Sequence, residues 1–207
     1  MELTTSAVQA AAPERKRPKP GERRLQILQT IAAMLQDSAA EKVTTAALAS
    51  RLSLSEAALY RHFASKAQMF EGLIDFIEHS VFSLINQIAE REGDDVQKAA
   101  RMVTVVLQFA ERNPGMARVM VGDALVFENE RLQQRMNQLF ERIESSLRQV
   151  LRVAAETNKS ATPTADAQVR ASVLMAFALG QLQRFARSSF KRSPLDHLDA
   201  SLALMCR

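Results

Sequence analysis

Cysteine, glycine and proline are all scarce in this chain of 207 residues. The one cysteine, Cys206, has no partner for an intrachain disulfide, and such a composition suits a reducing compartment. Six glycines and six prolines are about half the usual share, which runs to roughly 12% of positions. A chain so poor in backbone breakers reads as helical, and collagenous, disordered and disulfide-stapled classes are excluded. No stretch approaches the ~18 to 20 uninterrupted apolar residues of a membrane span. The first twenty residues lack the basic-then-apolar pattern of an export signal, so a cytoplasmic protein without a membrane partner is expected.

What is present is unevenly distributed. The net charge is +4, and residues 1 to 66 hold 10 Lys/Arg against 6 Asp/Glu, whereas residues 67 to 207 hold 17 against 17. All the excess positive charge therefore sits in the first third, as in a basic module that meets polyanions joined to a neutral module with another task. Residues 1–20, with Pro13, Pro18, Pro20 and the basic run from Arg15 to Lys19, read as a disordered basic arm.

Helical periodicity begins near Gly21, with Leu25, Leu28, Ile31, Met34 and Leu35 at three- and four-residue spacing. Two short helices follow, one capped by Thr44 or Thr45 and ending near Leu52, the other capped by Ser55 and running to about Phe63. Ser65 caps a long fourth helix that ends near Gly93 and carries Phe76 and Leu84 on a broad apolar face. A fifth runs from Asp94 to Asn113, a sixth from Pro114 to about Leu125, and a seventh spans Leu132 to Leu151. Residues 156–166 read as a loop, Val169 to Phe190 as the eighth helix and Leu195 to Met205 as the ninth. Val173 to Leu179 is almost continuously apolar, and Ala176 and Gly180 offer a ridge of small residues. Such a helix needs cover on most sides. A homodimer in which the last two helices of each subunit pack as a four-helix interface supplies it, and complete burial within one subunit is the other reading.

The window VTTAALASRLSLSEAALYRHFASK, residues 43–66, carries the strongest signal. Ala47, Leu48, Leu52, Leu54, Leu59 and Phe63 form a small apolar knot that fixes two short helices at a steep angle. That leaves Ser55, Glu56, Ala57, Tyr60 and Arg61 outward, the arrangement of a helix-turn-helix. Tyr60, the one tyrosine beside ten phenylalanines, is a candidate phosphate contact and equally an amphipathic residue at a helix edge. Lys66 lies in the first turn of the fourth helix, where free N–H groups and the helix dipole also favour an anion. Thr44 and Thr45 pair hydroxyls with the open start of the second helix, and capping alone is their other reading. Arg23, at the head of the first helix, completes the candidate DNA-contacting set.

Leu54-Ser55-Glu56-Ala57-Ala58-Leu59-Tyr60-Arg61-His62-Phe63, followed by Ser65-Lys66, resembles the DNA-binding signature of the TetR family. The resemblance implies an all-α fold of about nine helices. An N-terminal three-helix DNA-binding domain over residues 21–66 would be joined to a C-terminal helical dimerisation domain over 67–207. Ala57 and Ala58 stand where Gly-Thr is frequent in the family, and Arg61 where a second aromatic is frequent; a methyl contact from Ala57 to thymine is open. The resemblance also implies that His62 packs under its helix.

A longer resemblance covers roughly residues 22–194. LIDFIEHS, FAERNPGMARVM, GDALVFENERLQQRMNQLFERIESSLRQVLR and RFARSSFKRSP are similar to the SlmA family, the nucleoid occlusion branch of the TetR proteins. It implies a homodimer that binds palindromic chromosomal sites in double-stranded DNA. When DNA-bound, such a dimer engages the C-terminal tail of the division protein FtsZ in a groove between the fourth and fifth helices. The matching positions are Phe76, Arg112 and Asn113, with Leu84 where relatives carry a basic residue and Gln108 where they carry a small one. Each also has a plainer reading: Phe76 as core, Arg112 as a dipole partner and Asn113 as a helix end before proline.

Catalysis has little to stand on. His62, His79 and His197 are isolated, no phosphate-loop pattern surrounds any glycine, and Glu141 and Glu144 among Arg135, Arg142 and Arg148 read as ion-pairing surface. No enzyme activity, cofactor or metal is expected. A repressor with a small-molecule inducer pocket among the Met, Leu and Phe of the fourth to eighth helices is the alternative function, although no small-molecule ligand is expected on the SlmA-like reading.

Overall fold

A computed structural model describes residues 21–37 and 43–206, so the expected basic arm lies outside the described residues. All regular structure among them is helical: α1 (Glu22–Gln36), α2 (Thr45–Leu52), α3 (Glu56–Tyr60), α4 (Lys66–Glu90), α5 (Asp95–Arg112), α6 (Pro114–Met120), α7 (Glu130–Thr157), α8 (Pro163–Arg187) and α9 (Leu198–Met205), with a 3-10 turn at Asp123–Leu125. The all-α, TetR-like expectation is met.

The first three helices pack round a compact knot. Ile27, Ile31, Met34 and Leu35 place the buried stripe of α1 against Leu48, Leu59 and Phe63. Ala47, expected in that knot, is exposed, and its neighbour Ala49 is buried instead. The helical phase explains the correction: Leu48 and Leu52, four apart, face the core, and position 49 shares their side while 47 does not. Thr44 Oγ1 accepts from the Ala47 N–H at 3.2 Å and Ser55 Oγ from the Ala58 N–H at 3.2 Å, so both short helices are capped by hydroxyls. Ser53 takes the left-handed conformation, φ 54°, that turns the chain between them. α3 ends at Tyr60 rather than Phe63, because the His62 and Phe63 N–H groups both close back on the Leu59 carbonyl.

The body is built on α4, α5, α7 and α8. Met69, Met102 and Met136 are fully buried, so methionines that an inducer pocket would use as lining fill the core. The sixth helix stops at Met120, short of the expected Leu125. Gly122 adopts φ 86°, and a side chain there would meet Gln133 Oε1 at 2.7 Å. The expected loop at 156–166 is shorter, because α7 continues to Thr157 and α8 starts at Pro163. Ser160 and Thr162 hydroxyls both donate to the Asp166 carboxylate across this junction, and those bonds, Ser160's first, lower its pKa. α8 ends at Arg187, and Ser189 and Phe190 then take positive φ as the chain turns toward α9.

α8 buries Ala171, Leu174, Met175, Ala178, Leu182 and Phe185 on one side. On the opposite stripe Val169 is 63% and Val173 48% exposed, with Ala176, Leu179 and Gly180 also open. Complete burial within one subunit is therefore not what the fold provides.

A line of ion pairs joins α4 to α7. Arg131 pairs with Glu71 at 2.7 Å, and Arg135 reaches Asp75 at 2.5 Å and Glu78 at 2.7 Å. The Glu78 hydrogen bond, opposed by partial burial and aided by Asp75, raises the Arg135 pKa further. Arg142 lies over the Phe82 ring at 4.0 Å, and Arg148 donates to Gln168. The arginines near Glu141 and Glu144 thus turn to α4 and α8, contrary to the expected ion-pairing surface.

Candidate functional site

Two surfaces carry the expected residues, one on the first three helices and one where they meet the body. On the first, Ser55, Glu56, Ala57, Tyr60 and Arg61 all face outward. Tyr60 is 45% exposed, and neither it nor Arg61 makes a hydrogen bond or ion pair among the described residues. These two, with the Ala57 methyl, are the groups on this face with free valence for a duplex.

The remaining candidates are already engaged. Thr44 and Ser55 spend their hydroxyls on helix caps, and Thr45 Oγ1 donates to Glu56 Oε2 at 2.5 Å, linking the starts of α2 and α3. Arg23 donates to Gln26 Oε1 at 2.7 Å, one turn along α1. The Lys66 ammonium is held by the part-buried Glu128 carboxylate from the segment before α7. Lys66 sits at the start of α4, where Ser65 Oγ accepts the Gln68 N–H at 3.2 Å. Both the ammonium and the helix start face the direction an anion would use, but the charge is partnered within the fold.

Sequence reasoning missed Glu128 and Arg24. Arg24 donates to the His62 carbonyl and stacks on the Phe63 ring at 4.0 Å, fastening the half-buried His62 turn to α1. Glu128 lies 62 positions from Lys66, and a pairing at such separation leaves no local signal.

The second surface is a groove of about 350 Å³ that brings Phe76, Arg112 and Asn113 together. Phe76 is 45% exposed, although its place on an apolar helix face also read as core, and its ring tilts against Phe109 at 6.0 Å. Arg112, in the last turn of α5, is exposed and makes no hydrogen bond or ion pair among the described residues. Asn113 ends α5 and begins α6, and its Nδ2 donates to the Phe109 carbonyl at 2.8 Å, so its helix-ending role is real. That bond leaves Oδ1 as the acceptor facing the groove's end.

A helix-turn-helix mounted on a helical body defines the class of bacterial transcription regulators typified by the tetracycline repressor. The family model for bacterial regulatory proteins of the tetR family matches residues 27–73, and the model described as tetracyclin repressor-like, C-terminal domain, of SlmA-like type, matches residues 94–207. The nucleoid occlusion factor SlmA of Vibrio cholerae serotype O1 is 50% identical over 184 residues, covering 88% of this chain and 93% of that protein. SlmA of Idiomarina loihiensis is 48% identical over 183 residues, with the same two coverages, 88% and 93%. The chain belongs to the SlmA family of nucleoid occlusion factors. Solved structures share the fold at lower identity. The fatty acid degradation regulator FadR from Bacillus halodurans has TM-score 0.72 at 14% identity, covering 91% of this chain and 97% of that one. The TetR family regulator PfmR from Thermus thermophilus has TM-score 0.71 at 20% identity, covering 88% and 94%.

Proposed function

We propose that this chain is a homodimer that binds palindromic sites in double-stranded chromosomal DNA and, when bound there, antagonises FtsZ assembly over the nucleoid. Division would thereby be coupled to chromosome segregation. Residues 21–66 serve as the DNA-binding domain, and residues 67–207 serve for dimerisation and FtsZ interaction. The protein then resides in the cytoplasm on the nucleoid.

The observation that carries the reading is the meeting of Phe76, Arg112 and Asn113 on one exposed groove. An aromatic anchor, a free guanidinium and an amide acceptor suit an extended peptide of mixed apolar and acidic character. The outward Ala57, Tyr60 and Arg61, in the most basic third of the chain, support a duplex contact by phosphate and major-groove readout. The open apolar stripe of α8 supports a second copy as its cover.

The experiment is charge reversal at the groove. Arg112→Glu is expected to abolish binding of the FtsZ C-terminal tail, measured by fluorescence anisotropy, and to leave duplex affinity intact. Unchanged tail binding by the variant would overturn the assignment of the groove.

A further inference from the structure

The groove is not bounded by the body alone. Its near wall is α1, the first helix of the DNA-binding module: Leu25, Leu28, Gln29 and Ala32 line the same cavity as Phe76 and Arg112. Leu25 is 54% exposed although it opens the apolar periodicity of α1, so it stands beside Phe76's groove as a second unburied apolar group. Gln29 is exposed one turn further along.

The floor beneath is rigid. A Cβ added to Gly115 would lie 2.0 Å from the Ala32 carbonyl oxygen, so α6 begins in backbone contact with α1. Arg118 of α6 also donates to the Leu35 carbonyl at 3.4 Å, at the end of α1. The lining carries one cation, Arg112, and no carboxylate. Its charge therefore selects an anionic occupant; the segment preceding α1, with Arg15, Lys16, Arg17 and Lys19, has the wrong sign.

We infer that α1 of the DNA-binding module is itself part of the peptide-docking surface, with Leu25 contacting an apolar side chain of an acidic partner peptide and Gln29 hydrogen-bonding its main chain. This rests on the FtsZ reading and deepens it, by assigning contacts outside the groove between α4 and α5. A peptide seated there touches the module that binds DNA and the body at once, so its binding free energy favours one orientation of the module on the body. By linkage, any preference of the duplex for that orientation appears equally in the peptide affinity.

The test uses the full-length dimer with its duplex bound and a labelled peptide of the FtsZ C-terminal tail, followed by anisotropy. Leu25→Ser and Gln29→Glu each alter an exposed side chain, and a thermal melt confirms that both variants fold. Each is expected to weaken peptide binding about tenfold, as removal of a docking contact or addition of a like charge does, with duplex affinity within about twofold of the unsubstituted protein. If both variants bind the peptide normally while Arg112→Glu does not, the peptide runs along α4 and α5 alone and the inference fails by itself. If duplex affinity falls as far as peptide affinity, α1 acts through the DNA module rather than by contact, and the inference also fails. If the unsubstituted protein does not bind the peptide, the FtsZ reading falls first and takes the inference with it.

Discussion

The two positive groups flanking the recognition helix differ in what surrounds them. Arg61 is exposed and free, whereas Lys66 is held by Glu128 on a part-buried contact. Arg61→Ala should therefore lower duplex affinity with little effect on stability, and reduce the slope of log K against log salt by about 0.9, the share of one phosphate. An unchanged salt slope would show that Arg61 does not meet the backbone. Lys66→Ala should do more than remove a charge, because it strands Glu128. A stability loss of about 1 to 3 kcal/mol in denaturant unfolding is expected, and Lys66→Ala with Glu128→Gln should recover much of it. This distinction was not legible in the sequence. Lys66 was readable as a positive group at a helix start, but its partner comes from a segment defined only by the closed fold. Phe76 shows the same limit from the other side, since an aromatic among Leu73, Ile74 and Ile77 looks like core until the helix is docked and one edge of its face is left open.

At the scale of elements, local chemistry was readable wherever it was self-contained. Ser55 and Ser65 cap the helices they were expected to cap, and Pro114 opens α6 at its first turn. Boundaries moved where a tertiary contact decided them. Gly122 ends the sixth helix by its left-handed conformation against Gln133, and the 156–166 loop shrinks because Ser160, Thr162 and Asp166 bond to one another across the start of α8. The α1–α6 junction is the most constraining of these contacts. Gly115→Ala places a methyl carbon against the Ala32 carbonyl, a backbone group that cannot rotate away. It is expected to cost about 1 to 3 kcal/mol and to lower the melting temperature by several degrees, as overpacking in a chain of this size does. A melt identical to that of the unsubstituted protein would mean that α1 and α6 separate freely.

For the whole molecule, the partition of charge and of apolar surface is what points to an assembly. The basic first third was visible in composition alone, and the open side of α8 was foreshadowed by its run of apolar and small residues. Which side of α8 stays open required the packing of Leu174, Met175 and Phe185 against α7 and the body. Because Val173 is about half exposed in the single chain, Val173→Glu is expected to leave each subunit folded and to shift sedimentation from dimer to monomer. Duplex affinity should fall with it, since a monomer engages one half-site of a palindrome whose half-site centres lie about 34 to 36 Å apart, or a multiple of that. A variant that remains dimeric would move the interface away from α8.

The central claim joins the two surfaces: a duplex held by the basic module and a division protein held at the groove beside it. Light scattering of FtsZ polymers, with this protein added in the presence and absence of its preferred duplex, tests that claim most directly. The account predicts a loss of polymer that depends on the duplex and disappears with Arg112→Glu. Polymer levels that are the same with and without the duplex would contradict it.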